Sequence, residues 1–298
     1  MHLIIWVMAA LLVCFVAARV YYALTDDFRL SNITYDMPYE ENWSIAAPSS
    51  VQETQLEQIL NQPFFYLGKG AQSYAFASQN DRYVIKFFKF KHLRPSWFVD
   101  MLPPVSFLKT YKEKQSARKA RKLFGVFNSY KLAFDVDRDE SGLIFIQLNT
   151  TKNPKRQVTV IDKIGFKHRI ELDSVPFIVQ YKGETLRTVL ARLLDQQDVE
   201  TAKQRINQIL NLYVGEYRKG IFDHDHGVMQ NTGFVGDKPI HLDVGKLLKE
   251  EKMRDPAFAK KDLLLVAQKI KEWIKTRFPD YYSTLSEFID AKISQLYP

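Results

Sequence analysis

Between Phe64 and Lys89 three apolar runs follow one another closely: Phe64-Phe65-Tyr66-Leu67, Ser73-Tyr74-Ala75-Phe76-Ala77 and Tyr83-Val84-Ile85-Lys86-Phe87-Phe88. Aromatic and β-branched residues dominate them, and Gly68-Lys69-Gly70 and a polar turn at Ser78 to Arg82 part them, so the spacing predicts three short antiparallel strands. Gly68 and Gly70 lack a Cβ, which lets the backbone turn tightly and approach a ligand. Lys86 lies mid-strand among apolar neighbours, where its ammonium needs an anion to offset desolvation; a phosphate is one such anion. Two nucleotide-binding patterns are excluded by the same residues. A Walker loop needs four residues between its glycines and then Lys-Ser or Lys-Thr, and a dinucleotide fold needs a helix where this chain continues as a strand.

Around this meander lie 298 residues, 46% of them hydrophobic, enough for a real core in one large domain or two ordinary ones. No internal repeat suggests a solenoid. The net charge is +8, and the single cysteine, Cys14, excludes an intrachain disulfide and a Cys-x-x-Cys metal or redox site. Leu3 to Ala18 is uninterruptedly apolar, and after Arg19 the run resumes from Val20 to Leu24. That is close to the roughly 20 residues of a membrane span, with Arg19 able to snorkel and Tyr21 and Tyr22 suited to the interface. The run reads as an anchor or as a signal segment; an n-region with only the terminal amine and His2 favours the anchor. Arg19 and Arg29 after the run favour a single-pass protein whose folded part is cytoplasmic. Three glycosylation-type triplets, at Asn32, Asn42 and Asn149, are given no function.

Lys109 to Phe134 has helical periodicity: on a wheel Glu113, Ala117, Ala120, Phe124 and Phe127 fall within about 80° of one another. Basic residues fill the remaining arc of Lys109 to Lys122, a solvated face or one suited to anionic lipid. Leu143 to Leu148, Val158 to Ile161, Arg169 to Leu172 and Phe177 to Gln180 supply further strands. Val199 to Lys219 is a helix with Ile206, Ile209, Leu210, Tyr213 and Tyr217 on one face and Gly220 as its stop. Beyond it, Thr232 to Val235 and Pro239 to Leu242 form a hairpin around Gly236-Asp237, which sets Asn231 and Asp243 side by side. Two oxygen ligands so held suit Mg²⁺, which takes few protein carboxylates plus waters and nucleotide phosphates.

In order along the chain, Gly68-x-Gly70, Val84-Ile85-Lys86, a glutamate-bearing helix, Asn231 and Asp243-Val244-Gly245 resemble the protein-kinase superfamily. The resemblance covers Phe64 to about Leu247. It departs from the family at Ser73 and Ala75, where glycine and valine are usual, and at Val244 in place of Phe. It implies an α+β, two-lobed kinase-like fold: an antiparallel β-rich N-lobe, a reduced helical C-lobe and a preceding transmembrane helix. The expected divisions are an anchor or signal segment at 1–24, a linker or wrapped arm at 25–55, the N-lobe at 56–181 and the C-lobe at 182–298. The resemblance also implies ATP and Mg²⁺ as cofactors, Gly68 and Gly70 over the phosphates, Lys86 on phosphate oxygens held by Glu113, and Asn231 and Asp243 on the metal. Gln180, Tyr181 and Lys182 would form an interlobe hinge whose backbone meets the adenine. The family's catalytic Asp stands five residues before the Asn, where this chain has His226; a loop one residue longer makes Asp225 the group at the acceptor hydroxyl.

About fifty residues follow Asp243-Val244-Gly245, where a protein kinase has an activation segment and a large helical subdomain. That favours small-molecule, sugar or lipid acceptors, with a protein acceptor left open. Two other readings stand beside this one. One is a pseudokinase that binds nucleotide or acts as a scaffold. The other is a phosphoesterase with a transition metal bound among Asp223, His224, Asp225, His226, His241 and Asp243. Nucleic acid is not an expected partner, because the excess positive charge is concentrated on one helix.

Overall fold

The computed structural model describes residues 2–35, 37–90, 106–150 and 156–298. Lys91 to Pro104 lie outside the described residues. The chain is α+β and divides into two compact units: residues 1–122 with 147–179, and residues 123–146 with 180–298.

The first unit begins with α1 (His2–Leu24), whose Ile4–Leu24 stretch of 21 residues is apolar and long enough to cross a membrane and is nowhere buried. Directly after α1 the chain lies against a sheet. Phe28, Ile33 and Trp43 are buried, and Phe28 meets Tyr74, Phe76 and His168 edge-on. This stretch carries α2 (Leu30–Ile33) and runs into α3 (Ser50–Leu60), which starts at a capping box: Ser49 accepts from the Gln52 amide while Gln52 accepts from the Ser49 amide.

The sheet contains the meander of β1 (Phe64–Lys69), β2 (Ser73–Ser78) and β3 (Tyr83–Phe88), antiparallel throughout. On its other flank β1 runs parallel to β5 (Gln157–Ile161), which turns back into β6 (Lys167–Glu171). With β7 (Phe177–Tyr181) the order is β7-β3-β2-β1-β5-β6. The chain crosses between units within α4 (Ser106–Val136), β4 (Leu143–Gln147) and β7.

The second unit is mostly helical. The short α5 (Arg138–Ser141), β8 (Glu184–Thr185), α6 (Leu186–Asp195) and α7 (Val199–Arg218) precede β9 (Ile221–Asp223), and α8 (Val228–Asn231) precedes the hairpin β10 (Thr232–Val235) and β11 (Lys238–His241). Then come β12 (Leu247–Lys249), α9 (Pro256–Arg277) and α10 (Tyr282–Leu296). The α7 face read from periodicity is the buried one: Ile206, Ile209, Leu210, Tyr213 and Tyr217 pack with Leu263, Val266, Ile270 and Leu285. Gly220, at φ +73°, ends α7 in a left-handed conformation that costs glycine least. At Gly233 the reason for glycine is a close backbone: a Cβ there would lie 1.9 Å from the Glu184 carbonyl oxygen of the paired β8. Gly233→Ala is expected to cost about 1–3 kcal/mol, as overpacking that only backbone movement relieves. A urea melt checks this, and an unchanged midpoint would show that β8 gives way freely.

Candidate functional site

In the second unit, β9 and β12 pair antiparallel, Asp223 opposite Leu247, and the His224 amide reaches the Lys246 carbonyl at 3.3 Å. This brings Lys246, the residue after Asp-Val-Gly, to the loop after β9. Its ammonium is 2.8 Å from Asp225 Oδ1, and Asp225 Oδ2 accepts from Asn231 Nδ2 at 3.4 Å. The β10–β11 hairpin, with Thr232 opposite His241 and Gly236 at φ +59°, returns the chain so that the Leu242 and Asp243 amides both donate to the Asn231 carbonyl, at 2.6 and 3.2 Å. Asp225, Asn231, Asp243 and Lys246 thus form one group. Asp243 Oδ1 accepts from the Gly245 amide at 3.1 Å and faces the Tyr130 hydroxyl at 3.5 Å. Burial, and then the Asp243 charge, pushes the Tyr130 phenol well above its ordinary value. Asp243 is exposed and Asn231 half-buried, and as oxygen donors Asp243 Oδ2 and the Asn231 amide oxygen are the atoms here that could take part in holding a hard cation such as Mg²⁺.

Beneath this group lies a buried relay. His241 Nδ1 is 2.8 Å from Glu216 Oε1, its Nε2 is 3.4 Å from Asp223 Oδ2, and Asp223 Oδ1 accepts from the Asp225 amide at 2.9 Å. All three side chains are at most 1% exposed. Burial works against a charge on His241, but Glu216 and Asp223 outweigh it and raise its pKa well above 6.5. Burial likewise opposes charge on Asp223, yet the close approach and charge of His241 lower its pKa below the usual 3.8. His226, at φ +49°, points elsewhere: its Nε2 is 2.7 Å from Asp262 Oδ1, and Asp262 Oδ2 accepts from the Tyr217 hydroxyl at 2.7 Å.

These partners correct the phosphoesterase expectation. Among the described residues no group of three or more His, Cys, Asp or Glu could hold a metal ion. His226 is taken by Asp262, His241 is buried between two carboxylates, and His224 is exposed, because alternate residues of an extended segment point apart.

In the first unit, Gly68 stands opposite Ala75, and Ala75 opposite Lys86. Cross-strand partners share a face, so the half-buried Lys86 lies in one row with two of the smallest residues, Ala75 beside it and Gly68 beyond, which leaves the sheet surface on that side low. A one-residue irregularity between Tyr66 and Gly68 bends β1 here. The Gly70 amide donates to Ser73, and the Gly70 carbonyl accepts from Lys89 Nζ at 2.6 Å. Lys89, only 4% exposed, also lies 4.5 Å from the Tyr74 ring centre, and its own amide bonds Gln72. The glycine turn is therefore pinned by a lysine that the sequence reading passed over.

Glu113 is a correction. It was expected on a buried apolar face of its helix; it is exposed, as are Ala117 and Phe124. Among the described side chains, burial on α4 starts at Leu123 and follows Val126, Phe127, Tyr130 and Ala133, and Ala120 lies outside them. The wheel assumed one packed face along the whole length, whereas the described residues before Leu123 are almost all exposed.

Of the expected hinge, the Gln180 side chain is buried and donates to the Ser141 carbonyl at 2.6 Å and the His241 carbonyl at 3.2 Å, and the Tyr181 amide donates to Gly142. The Tyr181 amide is thus already used. Lys182 is half-buried.

No protein-family model and no curated protein matches the chain. Among solved structures it is similar to WbdD in complex with the kinase inhibitor LY294002, at 11% identity and a TM-score of 0.35 over 77% of this chain and 45% of that one. It is likewise similar to WbdD described as a bifunctional kinase-methyltransferase, at 11% and 0.33 over 75% and 43%. The chain spans less than half the length of these proteins, and at such scores the likeness lends no weight to a function.

Proposed function

We propose that this chain is a membrane-anchored, kinase-like phosphotransferase of two-lobed design that passes the γ-phosphate of ATP to a hydroxyl of a small-molecule, sugar, lipid or protein acceptor. The observation that supports it most is the grouping of Asp225, Asn231, Asp243 and Lys246 at the mouth of one hairpin. In this reading Gly68 and Gly70 cover the phosphates and Lys86 binds their oxygens. Asn231 and Asp243 hold Mg²⁺, which when bound supplies neutralisation of the phosphate charge. Asp225, its carboxylate steadied by Lys246 and Asn231, orients the acceptor hydroxyl and takes its proton. Lys246 adds positive charge beside the acceptor. Gln180, Tyr181 and Lys182 border the base, chiefly through groups other than the Tyr181 amide. α1 anchors the chain in a membrane with the folded part on the cytoplasmic side, and the basic residues of 109–122 face anionic lipid.

The test is thermal stability of the full chain in detergent. ATP with Mg²⁺ at about 100 times its dissociation constant should add about 2.7 kcal/mol, and Lys86→Ala should remove most of that gain. If neither nucleotide nor Mg²⁺ moves the melting curve, the proposal fails. A second reading, nucleotide binding without transfer, is favoured by the exposure of Glu113, the residue cast as partner of Lys86. Stabilisation by ATP with no phosphate released or transferred to any acceptor would select it.

A further inference from the structure

We propose that the turn between β5 and β6, with its exposed Ile164 and Phe166 and the adjacent Leu67, is seated in the interfacial layer of the bilayer, holding the first unit against the membrane surface. The inference rests on the reading that α1 crosses that bilayer.

The end of the apolar helix is fastened to the sheet without slack. The Tyr21 ring lies 6.2 Å from that of Phe166. Directly after the helix, Asp26 accepts from Lys163 and from the Tyr66 hydroxyl, each at 3.0 Å, and pairs with Lys69 at 3.4 Å. The Asp27 carbonyl accepts from the Tyr74 hydroxyl at 2.8 Å, and Phe28 is wholly buried. The position of the turn along the helix is therefore set. Twenty-one helical residues span about 31 Å, the thickness of a hydrocarbon core, and Tyr21 lies about 5 Å from the end of that span. A ring packed on Tyr21 is thus at the depth where aromatic residues meet the headgroups.

The turn is built to present apolar side chains. Asp162, buried, accepts from the Ile164 amide at 3.1 Å and the Phe166 amide at 2.9 Å through one oxygen and faces His168 Nε2 at 2.8 Å through the other. Gly165 takes φ +95° and donates to the Asp162 carbonyl. The polar groups of the turn are satisfied inward, while Ile164 and Phe166 remain 41% and 57% exposed. The parallel register of Phe65 with Ile161 carries Leu67, 52% exposed, alongside. Lys163 and Lys69 flank the Asp26 carboxylate, and the Arg29 guanidinium sits 4.1 Å over the Tyr22 ring, basic groups suited to a rim at the headgroups.

The single cysteine makes a site-specific test simple. In a Cys14→Ser background of the full chain, Phe166→Cys and, as control, Val51→Cys carry an environment-sensitive nitrobenzoxadiazole label. The proteins are reconstituted in phosphatidylcholine–phosphatidylglycerol vesicles containing lipid spin-labelled near the headgroup. A blue-shifted emission at 166 with a roughly twofold loss by the spin label, little change at 51, and resistance of the chain to alkaline carbonate is the result expected for a group at interfacial depth. Carbonate resistance without quenching at 166 leaves the anchor standing and overturns the inference. Carbonate release overturns the anchor and the inference with it. A blue shift that ignores lipid quencher but grows with protein density, or equal quenching at both positions, also overturns it.

Discussion

Replacing His241 with Gln should lower the unfolding free energy by about 3–5 kcal/mol, because it removes the counter-charge from between Glu216 and Asp223, both buried, and leaves two carboxylates facing each other in a dry interior. Glutamine can still donate one hydrogen bond, so the loss measures the charge more than the shape. A denaturant melt of the full chain with unchanged slope is the check, and a cost under about 1 kcal/mol would show that water reaches the cluster. The pH dependence follows from the same groups. The raised pKa of His241 means that its contribution is complete below 6.5 and is lost only as pH rises through a value well above that. Asp137 is raised to about 7 by burial and by Glu216, against the pull of Lys219, so its contribution is complete below 3.8 and is lost as pH rises from there through about 7. Asp223 is lowered, so its contribution is present above 3.8 and is lost as pH falls through its folded value. On these groups the second unit should be most stable near pH 4, and the melting midpoint should fall below it through Asp223 and above it through Asp137 and then His241. A midpoint that climbs steadily from pH 7 to 9 would contradict the assignment.

Asp225→Asn should slow phosphoryl transfer about 10²–10⁴-fold, the usual share of a positioned acid–base group, while leaving stabilisation by ATP and Mg²⁺ in place. Asparagine keeps the size and can still contact Asn231, but it takes no proton and no longer pairs with Lys246. Phosphate transfer followed beside the nucleotide-dependent melting shift separates the two effects. A loss under tenfold would remove Asp225 from the proton-accepting role. A loss of both rate and nucleotide stabilisation would mean that the carboxylate mainly holds the loop.

Much of the architecture was legible in the residues. The Phe64 to Phe88 meander, the α7 face with its Gly220 stop, and the hairpin that joins Asn231 to Asp243 follow from alternation, helical period and turn chemistry, all short-range signals. The α4 reading shows the limit of the same method. A wheel can place Glu113 beside Phe124 and Phe127, yet a face is buried only where something packs on it, and among the described side chains that begins at Leu123. Lys89 was passed over because a strand pattern marks Lys86 as the anomaly and says nothing of a lysine just past the strand end. The spacing of Asp225 and His226 before Asn231 left two ways to align the loop. In the structure Asp225 lies against Asn231 and His226 against Asp262.

The sequence by itself determined which segments are strands, helices and turns, the apolar helix at 2–24, and which short motifs are candidates for chemistry. Each of these depends on neighbours within a few residues. Only the tertiary structure decided where the polar side chains point, because their partners are remote: Glu216 and His241 are 25 residues apart, His226 and Asp262 36, and Tyr130 and Asp243 113. A buried charge can persist only beside such a partner, and packing alone chooses which one it meets.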